Sequence, residues 1–329
     1  MKDKYFNGIV DASMLEKGAY HSVVNGNHFI FLEPLNYKNG CPYDEEVLEW
    51  LDSTLNTVTT ADPDSYVFVC THPAIYETIY GSTSDLGECL TVATRDLDPI
   101  LTKYPQVISF NGHLHYPIND ERTIMQTTYT AVGTGSTRHA SIEAGYENAP
   151  NNRPVGRYSV SNGLLVEVDI NGNVRITRLY FTYNDTIKDA WELSHPTSDG
   201  AHLTKYTSDR SQENEAPVMS GEIGVDITAD AGTVTKVTVN VPAATDDDMV
   251  HHYEVIVKDN STGVSKTYKY LSDFYRVPNP EDMATVYSMD LPEAYLTEGE
   301  YTVSVSAVDS WGAKSNKLER KITVTGANS

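Results

Sequence analysis

Ile108-Ser109-Phe110-Asn111-Gly112-His113-Leu114-His115 is an apolar run that breaks into Gly-His-x-His. A strand end followed by a glycine and two histidines one residue apart can aim two imidazoles at a metal centre. A second stretch of this kind lies upstream, Tyr66-Val67-Phe68-Val69-Cys70-Thr71-His72-Pro73. It too is an apolar run that ends at a histidine. His72, His113 and His115 are therefore the candidate metal ligands. Tyr76, Tyr80 and Tyr116 lie close to them in sequence and are candidates for stacking on a substrate, Tyr76 and Tyr116 being the two assigned next to the site. His139 follows a Gly133-Thr134-Gly135-Ser136 turn that could bring it near. His21, His28, His195, His202, His251 and His252 carry no ligand motif.

The elements that would hold these residues can be read from periodicity. Residues 20–24 and 29–32 form a hairpin across the turn Asn25-Gly26-Asn27. Val47, Leu48, Leu51 and Leu55 fall at helical spacing over 43–58, with Asp44, Glu45 and Glu46 in the first turn. Strand 66–71 then runs to His72. A loop over 74–88, a helix over 89–103 stopped by Pro105, and strand 106–110 complete a crossover between parallel strands. Sites in such sheets form at the carboxyl ends of the strands, where His72 and His113 both fall. Further strands are expected at 127–132, 163–169 and 175–183, with Asn171-Gly172 as a hairpin turn, and a polar surface loop over 140–157.

The segment 193–217 is rich in Ser, Thr, Asp and Glu without periodicity and reads as a linker. Seven alternating runs follow, at 222–229, 234–241, 252–258, 264–270, 285–291, 300–308 and 318–325. They describe a β-sandwich over 218–329. Asp246-Asp247-Asp248 reads as a solvated turn between two of its strands, since no spaced calcium-ligand pattern follows.

The chain has 329 residues and a net charge of −22, which disfavours nucleic acid and anionic lipid as partners. No apolar run reaches the length of a membrane span. Three cysteines are too few for a disulfide framework; Cys70 belongs to a core strand, and pairing of Cys41 with Cys89 is left open.

Val69-Cys70-Thr71-His72-Pro73 followed by Phe110-Asn111-Gly112-His113-Leu114-His115 resembles the C-terminal half of calcineurin-like metallophosphoesterases, in their purple-acid-phosphatase-like form. Tyr20, Ser22, His28, Phe29, Ile30 and Leu32 of the hairpin, and Trp50-Leu51 of the helix, extend the likeness over about 18–192. The resemblance implies an α/β metallophosphoesterase β-sandwich flanked by helices over 1–192. It implies two metal ions (Fe, Zn or Mn) about 3.5–4 Å apart, with His72 and His113 on one and His115 on the other. The implied activity is hydrolysis of phosphate esters. The family pattern opens with Asp-x-His, Gly-Asp and Gly-Asn-His-acid, and this chain has neither of the first two. Gly26-Asn27-His28 is followed by Phe29, and reads as a hairpin turn. The catalytic domain is thus expected to be N-terminally incomplete and inactive as this chain, with apolar edges and faces left uncovered. The alternative is a non-catalytic binding protein on a degenerate phosphoesterase scaffold.

Leu296-Thr297-Glu298-Gly299-Glu300-Tyr301, continuing to Asp309, and Ser310-Trp311-Gly312 resemble the tyrosine-corner strand and following turn of fibronectin type III modules. That resemblance implies a domain for packing, surface attachment, or contact with carbohydrate or protein. Composition and the sandwich together suggest secretion or surface display by a bacterium.

Overall fold

A computed structural model describes residues 9–38, 40–83, 93–230, 233–292 and 296–325. The chain divides into two compact units: Met1–Glu143 with Gly156–Arg210, and Ala144–Val155 with Ser211–Ser329. Both are built mainly of β-sheet.

In the first unit, strands β1 (Ile9–Asp11), β2 (Ala19–Val24), β3 (Asn27–Leu32), β4 (Val67–Thr71), β5 (Val107–Asn111), β6 (Ile124–Gln126) and β7 (Thr130–Gly133) form one sheet in the order β1-β2-β3-β4-β5-β7-β6. β3, β4, β5 and β7 run parallel, and antiparallel strands flank them on both sides. The β2–β3 hairpin turns at Asn25 and Gly26, both at positive φ (49° and 84°), as a two-residue turn of this twist requires. Gly26-Asn27-His28 is thus a turn and strand start, as its sequence suggests.

Helix α1 (Glu45–Ala61) links β3 to β4. Asp44 caps it by accepting from the Glu46 N–H, Glu45 and Glu46 favour the positive end of its dipole, and Pro63 follows its end. Its inward stripe is Val47, Trp50, Leu51, Leu55 and Val58, and Trp50 Nε1 donates to Asp11 Oδ2 at 2.7 Å.

The second crossover departs from the expected helix over 89–103. Residues 89–92, and with them Cys89, lie outside the described residues, as does the 84–88 part of the expected loop. Residues 93–97 are irregular, and helix α2 is a single turn, Asp98–Leu101. The apolar spacing there has another use: Ala93, Leu97, Ile100 and Leu101 are buried without a continuous helix. Cys41 is buried and Cys70 half-buried.

A smaller sheet completes the unit, with β8 (Asn162–Val168), β9 (Val174–Tyr180), β10 (Asp185–Thr186) and β11 (Trp191–Leu193) all paired to β9. The hairpin at Asn171-Gly172 forms where expected. Arg178 is its buried anchor, donating to Glu121 Oε1 (2.7 Å) and to the carbonyls of Ile118 and Asp189.

The segment 193–217, expected as a linker, is packed structure through residue 210. Tyr206 is buried, its carbonyl accepts from the Gln126 N–H, and Arg210 donates to the carbonyls of Glu121 and Ile124. Its polarity misled because these bonds run through backbone groups and one arginine, which leave no periodic apolar trace.

The second unit is a β-sandwich. Its sheets are β12 (Gly224–Asp230), β13 (Thr233–Pro242) and β16 (Val286–Asp290) against β15 (Ser265–Leu271), β14 (Val250–Asp259), β17 (Gly299–Asp309) and β18 (Leu318–Val324), each list in sheet order. Val237, Val239 and Val241 from one sheet share a core with Val255, Val303 and Val305 from the other. The seven strands match the seven alternating runs. Residues 144–155, expected as part of a surface loop, join this unit: Asn148 bonds both the N–H and the carbonyl of Leu271.

Candidate functional site

The carboxyl ends of the four parallel strands put Glu33, His72, Gly112 with His113, and Thr134 side by side. Period-2 alternation and register produce this. β4 and β5 are paired from Val67↔Val107 to Thr71↔Asn111, so the residues just beyond them emerge together. The Gly112 N–H donates to the His72 carbonyl at 3.0 Å, tying the two strand ends. The Thr134 N–H does the same to the Asn111 carbonyl from β7 at 2.8 Å.

His72 Nε2 and His113 Nδ1 then lie 2.8 Å apart, with rings edge to face. His115 turns the other way and meets His139, Nδ1 to Nε2, at 3.1 Å. Left-handed backbone at His113 (φ 67°) and His115 (φ 57°) makes this split. That conformation is uncommon for a side chain other than glycine and costs on the order of 1 kcal/mol or more per residue. Tyr37 adds a ring stacked on His113 at 5.9 Å and edge-on to His72 at 5.2 Å.

Burial pushes the pKa of His115 down to about 4, helped by positive charge on His139, His113, His72 and Arg138. Burial also lowers that of His72, while Glu33 pulls it back up. Both are neutral at pH 7, the state in which an imidazole binds a metal.

The expected ligands His72 and His113 are thus brought together, and His115 lies beside them in a second pair. The sequence offered only the turn at Gly133 to Ser136 as a hint of His139, and nothing for Tyr37 or Glu33. Tyr76 lies apart from the histidines, while Tyr116 borders a small cavity that Gly112 and His115 also line. Arg95 sits over the Tyr76 ring at 3.3 Å, and Tyr116 is buried edge-on to Tyr80 at 4.8 Å. Neither lines the open groove beside the histidines.

Among the described residues no group of three or more His, Cys, Asp or Glu converges as a metal site. Two imidazoles meet at each of two places, and two donors do not close around an ion that takes four or more. The residues present therefore do not by themselves fit a resident two-metal centre.

No protein-family model matches the chain, and no curated protein matches it. Solved structures with some likeness include one described as a myokine structure, at 14% identity and TM-score 0.22, covering 34% of this chain and 97% of that one. Another is a family 76 glycoside hydrolase from a bovine Bacteroides thetaiotaomicron strain, at 13% identity and TM-score 0.23 (33% of this chain, 20% of that one). A third is a Bacillus anthracis chain described as a polysaccharide deacetylase, at 14% identity and TM-score 0.21 (32% of this chain, 30% of that one). This chain spans less than a third of the length of the latter two. Such scores assign neither fold nor function.

Proposed function

We propose that the first unit carries the imidazole half of a calcineurin-like metallophosphoesterase centre, for hydrolysis of phosphate esters. The observation that carries this reading is the pairing of His72 with His113 across the carboxyl ends of adjacent parallel strands, with His115 beside them. Fe, Zn or Mn ions would be met here by His72 and His113 at one place and His115 at the other. No carboxylate completes either histidine pair as a group of three or more ligands among the described residues. What this chain's own groups do is present imidazoles fixed by strand pairing and by the Tyr37 ring. The second unit is proposed as a fibronectin type III-like module. Support comes from Tyr301, whose hydroxyl donates back to the Thr297 carbonyl at 3.2 Å, the geometry of a tyrosine corner.

Hydrolysis of bis(4-nitrophenyl) phosphate with Fe, Zn or Mn supplied, by this chain or by any longer protein that contains it, tests the reading directly. Metal-dependent turnover that is lost on His113→Ala supports it. Absence of turnover, or turnover unchanged by His113→Ala, overturns it. One observation favours a second reading, a non-catalytic binding protein: no three ligand-type side chains converge among the described residues.

A further inference from the structure

The histidine pairs open into a groove of about 750 Å3 in the first unit, a volume in the range of small-molecule sites. One wall is a ladder of aromatic rings. Phe29 stacks on Phe68 at 4.9 Å and Phe68 on Phe110 at 6.2 Å, each pair within 22° of parallel. The ladder arises because these residues lie on one face of the central sheet. Ile30, Val69 and Ser109 form a cross-strand row on the other face and are fully buried, while Phe31, Cys70 and Phe110 form a row on this face and are half-buried. The opposite wall is β8, whose alternation points Leu164, Val166 and Val168 into the groove.

Polar groups line the groove as well: His72, His113, His115, Ser136 and the exposed Arg138. The chain as a whole carries 46 acidic residues against 24 basic ones, yet among the described residues no Asp or Glu lines this groove. An arginine and imidazoles lining an apolar groove, in an otherwise acidic protein, complement an anion with an apolar tail.

We propose that the groove takes an amphiphilic phosphate ester, its phosphoryl head at Arg138 and the histidines and its apolar body between the phenylalanine ladder and β8. Assigning the head as phosphate rests on the phosphoesterase reading; the apolar body rests on the groove alone. Calorimetric titration of the metal-free chain with ethyl, butyl and octyl phosphate, each below its micelle concentration, tests it. Affinity is expected to rise roughly twofold or more per methylene, since burying one is worth about 0.8 kcal/mol when complete. Octyltrimethylammonium, with the same tail and the opposite charge, is expected to bind at least tenfold more weakly than octyl phosphate. Arg138→Gln is expected to erase that charge preference. Val168→Glu, on an exposed strand end where the fold tolerates charge, is expected to flatten the dependence on tail length. Equal affinity for ethyl and octyl phosphate overturns the proposal, as does equal affinity for the two octyl compounds, or a Val168→Glu variant that keeps the full tail dependence. The catalytic reading fails separately: absence of metal-dependent turnover removes it and leaves these affinities standing.

Discussion

His72 Nε2 lies 2.8 Å from His113 Nδ1, although 41 residues separate them in the chain. Parallel pairing of β4 with β5 makes the contact, and the Gly112 N–H bonded to the His72 carbonyl holds the two strand ends at one level. Nearby, His115 and His139 repeat the arrangement, so the rim carries four imidazoles and Glu33 as its nearest felt carboxylate.

Acid should weaken the first unit before it affects most carboxylates. Burial lowers the pKa of His21, His28, His72, His115 and His202. For a histidine whose folded pKa is depressed, the unfolded chain takes up the proton first. Stability is therefore full above about pH 6.5 and falls as pH drops toward the folded values, about 4 for His115. Allowing for solvent screening, each such residue contributes on the order of 1 kcal/mol or less. Urea unfolding of the chain at pH 7.5 and 5.5 should show a lower midpoint at the acid value for the transition that reports Trp50 and Trp191. A midpoint that does not move would contradict the burial of these imidazoles.

The second unit should respond in the opposite sense. Both carboxylate oxygens of Asp246 are buried, and burial, then the charges of Asp247, Asp309 and Asp248, raise its pKa to about 7. A carboxyl with a raised folded pKa contributes stability that is full below its unfolded value and is lost as pH rises through about 7. Asp246→Asn should therefore raise the melting temperature of the second unit at pH 8 and leave it nearly unchanged at pH 5. The gain should be on the order of 1 kcal/mol, since the residue is partly open to solvent. Destabilisation at pH 8 would show that Asp246 is held in its charged form.

Gly135 is expected to tolerate no side chain. Its φ is +69°, and an added Cβ would collide with Asn162 Oδ1, the acceptor for the Ser136 N–H at 2.8 Å. Gly135→Ala should cost about 2–4 kcal/mol from left-handed strain and the lost bond together. Differential scanning calorimetry of the variant reads this directly. An unchanged melting temperature would mean that the turn does not position Ser136 and His139.

Much of this arrangement could be read from residue order. The alternation and Asn-Gly turn of residues 19–32, the capped stripe of α1, and the apolar runs ending at His72 and at Gly112 are local signals, and each became the element it described. The seven sandwich strands were legible for the same reason, since one buried and one wet face leave a period of two. What escaped was non-local or irregular. His139 sits in a segment without periodicity and is brought to His115 by the Asn162 bond to the turn before it and by the Ser141 N–H donating to the His115 carbonyl. Tyr37 follows β3 in an irregular stretch, so nothing in its neighbours marks the ring that stacks on His113. Residues 193–210 looked like a linker because their anchoring runs through backbone groups. Tyr76, close in sequence to the histidines, packs under Arg95 instead, and Tyr116 is held edge-on to Tyr80 beside His115.

His72 and His113 are expected to act together as donors to one metal ion. Calorimetric titration of the metal-free chain with Zn2+ should show one weak equivalent, abolished in both His72→Ala and His113→Ala while circular dichroism of each variant stays that of the parent. Zinc binding of unchanged strength and stoichiometry in the two variants would contradict it.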